Sequence, residues 1–303
     1  MQLFGTIKKR QKKIKNGLLT VFLLGLICGG ISFEMIHRFA VKRPAKKTDL
    51  TEIVAPYYDR AVFKNSSLKN ASVSAGLKIP IIMYHYVEYV RDLNDFIRKR
   101  LDISPDLFEK ELKALKENDF QTYFVKDIPD ILGGEIQYDA SKSAVLTFDD
   151  GYEDFYSVVY PLLKKYQLKG TVYIIYDYIG RRGFLNENQI KELVDSDLVE
   201  VGSHTLDHLY LKTLAKSVAK KQIEDSKTQL EKRFHINIKT FAYPYGAFNE
   251  QDEVMVKEAP YSAAVSVISG TMQSQGNLFH LYRIRPGIFT AGSIVKVLEG
   301  IKK

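Results

Sequence analysis

Two short segments carry the residue types that metal-assisted hydrolysis needs. TFDDG (147–151) sets Asp149 and Asp150 side by side at the end of the apolar run SAVLTF, and SHTLDH (203–208) sets His204 and His208 four residues apart after LVEVGS. Adjacent carboxylates leaving an apolar strand pay for desolvation and mutual repulsion unless a cation shares the site. An Asp-Asp-Gly turn that caps the next helix is the structural alternative. Two imidazoles at this spacing can reach one metal, or can be structural histidines. Together the segments supply a carboxylate and two His, and three protein ligands would leave positions open for water and substrate, as in catalytic zinc sites. Cys28 is the only cysteine, which excludes a disulfide framework, an iron-sulfur cluster and a Cys-built zinc site.

These residues need elements to hold them. Eight β-rich runs, 79–84, 121–125, 143–148, 171–176, 198–203, 238–243, 261–267 and 281–285, alternate with amphipathic helical stretches, the pattern of parallel β/α units. Ser104 before Pro105 and Asn186 before Glu187 read as helix starts, and AKSVAKKQIEDSKTQLEKRF (215–234) as the longest helix. Seven or eight such units predict an α/β fold, an irregular (β/α) barrel of seven or eight parallel strands. His85, Asp149, Asp150, His204, Tyr245 and Arg285 then all fall at C-terminal strand ends, the face on which barrel enzymes build their sites.

With 303 residues, 45% apolar, the chain can fill a sizeable core, which excludes wholesale disorder. The net charge of +8 is not spread along it: residues 1–47 carry 11 Lys/Arg against one acid, Glu34, leaving 33 basic and 35 acidic side chains in the other 256 residues. A near-neutral body removes the main argument for nucleic acid as a partner. The excess flanks the apolar run GLLTVFLLGLICGGISF (17–33), about the shortest length that spans a bilayer. The organisation expected is a cytoplasmic basic segment (1–16), one transmembrane anchor (17–36), an extracellular tether (37–78) and a catalytic domain (79–303), the basic N-terminus staying inside. Localisation is therefore the cell membrane, single-pass, with secretion after signal-peptide cleavage as the alternative; no A-x-A-like site follows the apolar run. Ile27 before Cys28 is too bulky for a lipidation site, and Asn65 and Asn70 lie in N-x-[ST] patterns to which no role is assigned.

TFDDG, then HTLDH, then FAYPYG (241–246), in that order, resemble the motifs of the polysaccharide deacetylase family, carbohydrate esterase family 4, the NodB homology group, over roughly residues 79–290. The opening IPIIMYHYV (79–87) is similar to the branch that de-N-acetylates poly-β-1,6-N-acetylglucosamine, the intercellular adhesin deacetylases of biofilms. The resemblance implies that Asp150, His204 and His208 bind a metal, Zn²⁺ with Co²⁺ or Ni²⁺ also suited to such donors. It implies Asp149 as general base, His85 as general acid, and Pro244-Tyr245 as oxyanion and substrate contacts, Tyr245 through its backbone N–H. The implied partners are an N-acetylated polysaccharide, the membrane through the anchor, and exopolysaccharide synthesis and export machinery.

Two departures from the family pattern stand out. Ala242 occupies the position where an Arg often orients the base, and Arg285 is the expected replacement. The late His280 fits the acid's role less well than His85. His37 abuts the anchor and His235 ends a helix. Tyr86, Tyr89 and Phe96 are candidates for stacking on sugar rings or for loop packing. Three other functions compete: a peptidoglycan N-acetylglucosamine deacetylase, a non-haem iron oxygenase built on the same two-His-one-carboxylate set, and a catalytically silent glycan-binding protein. The β/α alternation weighs against the oxygenase, and a base, Asp149, beside the ligand set weighs against the silent binder.

Overall fold

The computed structural model describes residues 76–285, apart from 93, and 294–300. The anchor expected over 17–36 and nearly all of the tether lie outside the described residues, among which no helix is long and apolar enough to cross a membrane.

The eight expected strands all form: β1 Ile81–Tyr84, β2 Gln121–Tyr123, β3 Ser143–Phe148, β4 Gly170–Ile174, β5 Val199–Ser203, β6 Thr240–Ala242, β7 Ala263–Ser269 and β8 Leu281–Arg283. They make one parallel sheet in the order β8-β7-β6-β5-β4-β3-β1. β3 and β4 are buried along their whole length, as a parallel sheet covered on both faces requires. The sheet curls until its edges meet: Ile284 pairs with Ile82, its N–H donating to Ile81 O and its carbonyl accepting from Met83 N. The irregularity comes from β2, which pairs with Ser143–Val145 of β3 and then gives way to β4 at Thr147–Phe148. β5 and β6 share a single register pair, Ser203 with Phe241. Side chains reinforce that seam, since Thr240 Oγ1 donates to Glu200 Oε1 at 2.8 Å.

Helices cover the outside: α1 Phe96–Leu101, α2 Pro105–Glu117, α3 Ile128–Gly133, α4 Tyr160–Tyr166, α5 Glu187–Val194, α6 Lys216–Phe234, α7 Glu250–Glu258 and α8 Ile294–Gly300. α5 starts with a reciprocal capping box between Asn186 and Gln189. Ser104 does precede α2, but its side chain makes no capping bond, so Pro105 at the first turn sets that start. Leu77–Lys78, at the end of the segment read as a tether, already pairs antiparallel with Met272–Gln273.

Inside the barrel Gly202 leaves room for Tyr173: a Cβ there would lie 2.5 Å from Tyr173 Cε1 and 2.8 Å from Thr240 Oγ1. Tyr173 is fully buried and cannot retreat. Gly202→Ala should therefore cost about 1–3 kcal/mol, read as a lower denaturation midpoint at unchanged m-value. A variant as stable as the parent would contradict this packing.

Candidate active site

The chain turns sharply where β3 ends. Asp150 takes a left-handed conformation, φ 74°, so two neighbouring carboxylates face different surroundings. Asp149 points into the barrel and is 3% exposed, and its backbone N–H donates to Tyr84 O. There Arg283 grips it with both ends of its fork, Nη1 to Oδ1 at 2.7 Å and Nη2 to Oδ2 at 2.8 Å. The guanidinium is itself fixed, Nε donating to Ser266 O and Nη1 also to Thr147 Oγ1. The single Thr147 hydroxyl proton goes to Ile82 O, which leaves its oxygen free to accept from Arg283. Burial pushes the Asp149 pKa up, and the Arg283 guanidinium overrides it and holds the carboxyl below its ordinary range.

This corrects the expectation for Arg285. Both arginines share one face of the strand, but the one nearer the rim is exposed and does not reach the base. A long side chain that must end level with the rim has to start deeper, and two residues of strand give about 6.6 Å of rise. The readable signal was Arg283's place on the same face as Leu281, which is fully buried: a charge there needs a partner.

Asp150 faces the other two expected residues. Its Oδ1 lies 3.3 Å from His204 Nε2 and 3.2 Å from His208 Nε2, and the three donor atoms lie within 4.8 Å of one another. His204 Nδ1 is 2.7 Å from Ala242 O, an acceptor only, so that nitrogen carries the ring proton and Nε2 of the neutral ring presents a lone pair. His208 is set by two left-handed residues, Thr205 (φ 69°) and His208 itself (φ 62°), with Thr205 Oγ1 accepting from His208 N. SHTLDH is thus a loop whose bends, not a helical repeat, bring the rings together.

These residues fit a divalent cation. Asp150 Oδ1 is buried with no hydrogen-bond partner, facing two imidazole nitrogens. Electron-rich atoms this close repel unless a proton or a cation lies between them. In the cation's absence a proton is favoured: burial lowers the His204 pKa, but Asp150 and Asp149 pull it above its ordinary value. Burial likewise raises Asp150, and His204 and His208 bring it well below the usual carboxylate range. A divalent cation would displace the shared proton.

His85 stands over the base, Nε2 3.9 Å from Asp149 Oδ2, with its Nδ1 buried and unpartnered. Burial lowers its pKa, Asp149 and Asp150 partly offset that, and Arg285 and Arg283 lower it further. His280, the rival acid, instead pairs with Glu253 of α7 at 2.9 Å. Tyr245 lies in the turn Pro244–Gly246, whose hydrogen bonds run from the Gly246 and Ala247 amides and leave the Tyr245 N–H outside them. Pro244 is buried, whereas the Tyr245 ring is 62% exposed and packs 4.4 Å from His208. Gly246 (φ 65°) lets the turn sit on the barrel, since a Cβ would fall 2.1 Å from Val267 Cγ2. Of the stacking candidates, Tyr86 is taken up by packing: Tyr152 stacks on it at 3.9 Å, the Arg98 guanidinium lies 4.2 Å over its ring, and Tyr152 packs in turn on Phe184. Tyr89 and Phe96 are exposed.

Residues 137–264 match the family profile described as polysaccharide deacetylase. Over 216 residues the chain is 31% identical to YxkH of Bacillus subtilis (strain 168), a polysaccharide deacetylase by name, covering 71% of this chain and 74% of that one. It is 28% identical over 222 residues to a poly-β-1,6-N-acetyl-D-glucosamine N-deacetylase of Staphylococcus aureus, covering 66% of this chain and 76% of the relative. Among solved structures, the Streptococcus pyogenes deacetylase PplD in complex with acetate superposes with a TM-score of 0.67 at 30% identity, covering 76% of this chain and all of that one.

Removing Arg283 would leave Asp149 buried and unpaired, so Arg283→Ala should cost about 3–5 kcal/mol. The pH dependence should also change sign. In the parent, the depressed Asp149 pKa contributes stability that is present above the unfolded carboxyl value and lost as pH falls through the folded one. In Arg283→Ala burial, the largest influence, is opposed only by His85 and His204, Asp149 rises, and stability should instead fall as pH climbs toward neutrality. Arg285→Ala should not show this reversal; if it does and Arg283→Ala does not, the pairing is misassigned.

Proposed function

The chain belongs to the polysaccharide deacetylase family, hydrolases that remove N-acetyl groups from polysaccharide, and from that premise we propose that it de-N-acetylates a cell-surface N-acetylglucosamine polysaccharide in a metal-dependent reaction. The substrate we favour is poly-β-1,6-N-acetylglucosamine, the polymer named for the Staphylococcus aureus relatives. One observation carries the mechanism: Asp150, His204 and His208 converge on a buried point, with an ionised carboxylate one residue away held by Arg283.

A divalent cation bound by Asp150, His204 and His208, Zn²⁺ in this proposal, would polarise the acetamide carbonyl and acidify the attacking water. Asp149 takes the water proton, its second oxygen kept in register by the Arg283 fork. The Tyr245 N–H donates to the oxyanion as the carbonyl carbon becomes tetrahedral. His85, the neighbour of the base, gives its proton to the departing nitrogen, so that the C–N bond breaks to leave acetate and a free amine. The exposed Tyr245 ring offers a face to the sugars. The anchor over 17–36 and the tether over 37–78 would keep this domain outside the cell, where such a polymer and its synthesis and export machinery are met. That part of the proposal rests on the apolar run 17–33 and its flanking charges.

Chelation should abolish deacetylation reversibly, with stoichiometric Zn²⁺ or Co²⁺ restoring it, and His204→Ala should lower bound metal. Asp149→Asn and His85→Ala should each lower kcat by about 10²–10⁴ while metal content stays at the parent level. Normal metal content in His204→Ala, or an active Asp149→Asn, would overturn the corresponding assignment. Release of acetate from oligomers of defined β-1,6 and β-1,4 linkage decides the substrate, and a preference for β-1,4 chains would overturn the polymer favoured here.

A further inference from the structure

Arg285 is left over by the pairing of the base. It stands exposed two residues beyond β8, beside the proposed acid, and lines a shallow, open recess. Facing the same recess are His85, Arg100 from the end of α1, and Asp102, over a floor that includes Met83 and Ile103. Neither arginine makes an ion pair or hydrogen bond among the described residues. The single carboxylate is already engaged, with Asp102 Oδ1 accepting from Glu88 N at 3.1 Å. Burial first of all pushes the Asp102 pKa up to about 6, so this acid is only weakly held in its charged form.

Two guanidinia around one recess repel each other, and one of them, Arg285, helps to lower the pKa of the neighbouring His85. A neutral sugar relieves neither effect. An anion would relieve both, and the planar fork of Arg matches carboxylate and phosphate oxygens in paired, charge-assisted hydrogen bonds. We propose that the recess between Arg100 and Arg285 is an anion subsite of the same active site, taking a carboxylate or phosphodiester that the polysaccharide carries beside the N-acetylated sugar. The inference rests on the N-deacetylation reading and narrows it: poly-β-1,6-N-acetylglucosamine is neutral as a plain homopolymer, so the segments selected are those that bear an anionic substituent next to the reacting residue. The amine left by the reaction would find two cations nearby, which favours departure of that sugar once hydrolysed.

The test compares kcat/KM of the full chain on three N-acetylglucosamine oligosaccharides of equal length and linkage: one neutral, one with a lactyl-ether carboxylate on the adjacent sugar, one with a phosphodiester there. At least one anionic oligomer should be preferred about tenfold or more through a lower KM, and whichever arm wins identifies the source of the charge. Raising the salt should compress the preference. Arg100→Gln and Arg285→Gln should each remove most of it, while Arg→Lys, which keeps charge but loses the fork, should retain part. Each preference is a ratio taken at one pH, so a change in His85 proton affinity common to all three substrates cancels from it. Parent ratios within twofold of one on both anionic arms would overturn the subsite and leave N-deacetylation standing. A preference that survives in both Gln variants would overturn the assignment to these arginines. No acetate from any of the three would overturn the underlying reading as well.

Discussion

The bidentate contact between Arg283 and Asp149 is the constraint on which the rest of the site depends. A carboxylate that is to act as a base must be ionised, and inside a barrel that state is opposed by desolvation. Four hydrogen bonds on one guanidinium, to both Asp149 oxygens, Thr147 and Ser266, make the charged state the favoured one and fix the plane of the carboxylate. Arg283 is on β8 and Asp149 follows β3, with β1 between them, so the contact exists only because the sheet closes. The Ile82–Ile284 pairing and the Arg283–Asp149 contact therefore support one another: loosening the seam would release the base, and losing the base would leave an unpaired cation at the seam.

The other buried charges follow from that arrangement. Asp150 cannot share Arg283, because its left-handed turn sends it the opposite way, and it meets two imidazoles instead. Glu200, deeper in the barrel, is held by neutral donors, the Thr171 and Thr240 hydroxyls and the Lys126 N–H, and burial raises its pKa. The interior thus separates three carboxylates into three chemistries: one paired with Arg, one aimed at a cation, one held by hydrogen bonds. Placing Asp150, Thr205, His208 and Tyr245 in left-handed conformations costs about 1–3 kcal/mol each. That strain collects at the one end of the barrel where ligand directions matter more than stability.

Much of this was legible in the sequence because its carriers are local. Each strand announces itself as a short apolar, β-branched run, and Asp149, Asp150, His204, His208 and Tyr245 follow strands directly, so placing the strands places the residues at one rim. What depends on relative height was not legible. Arg283 and Arg285 share a strand face, and only the closed barrel fixes which of them ends level with the Asp149 oxygens. The wedge made by β2 was hidden for the same reason, since three residues of strand look alike whether they run the length of the barrel or stop beside Val145. The Tyr86–Tyr152 stack joins segments 66 residues apart that no spacing connects.

The separation of acid from base follows from the same geometry. His85 and Asp149 are 3.9 Å apart, close enough that they would form a simple ion pair if nothing else competed for the carboxylate. Such a pair would be inert, with the proton shared and neither partner free to act. Arg283 prevents this by occupying both Asp149 oxygens, while burial and the Arg285 charge lower the proton affinity of His85, so an imidazolium there becomes a ready donor. Two titratable neighbours are thereby pushed toward opposite tasks, the carboxylate kept as acceptor and the imidazole as donor. The arginine in the core grips the carboxylate and also bears on the imidazole, whereas the arginine at the rim bears on the imidazole and leaves the carboxylate ungripped. For that reason the two positions are not interchangeable, even though the sequence sets them only two residues apart.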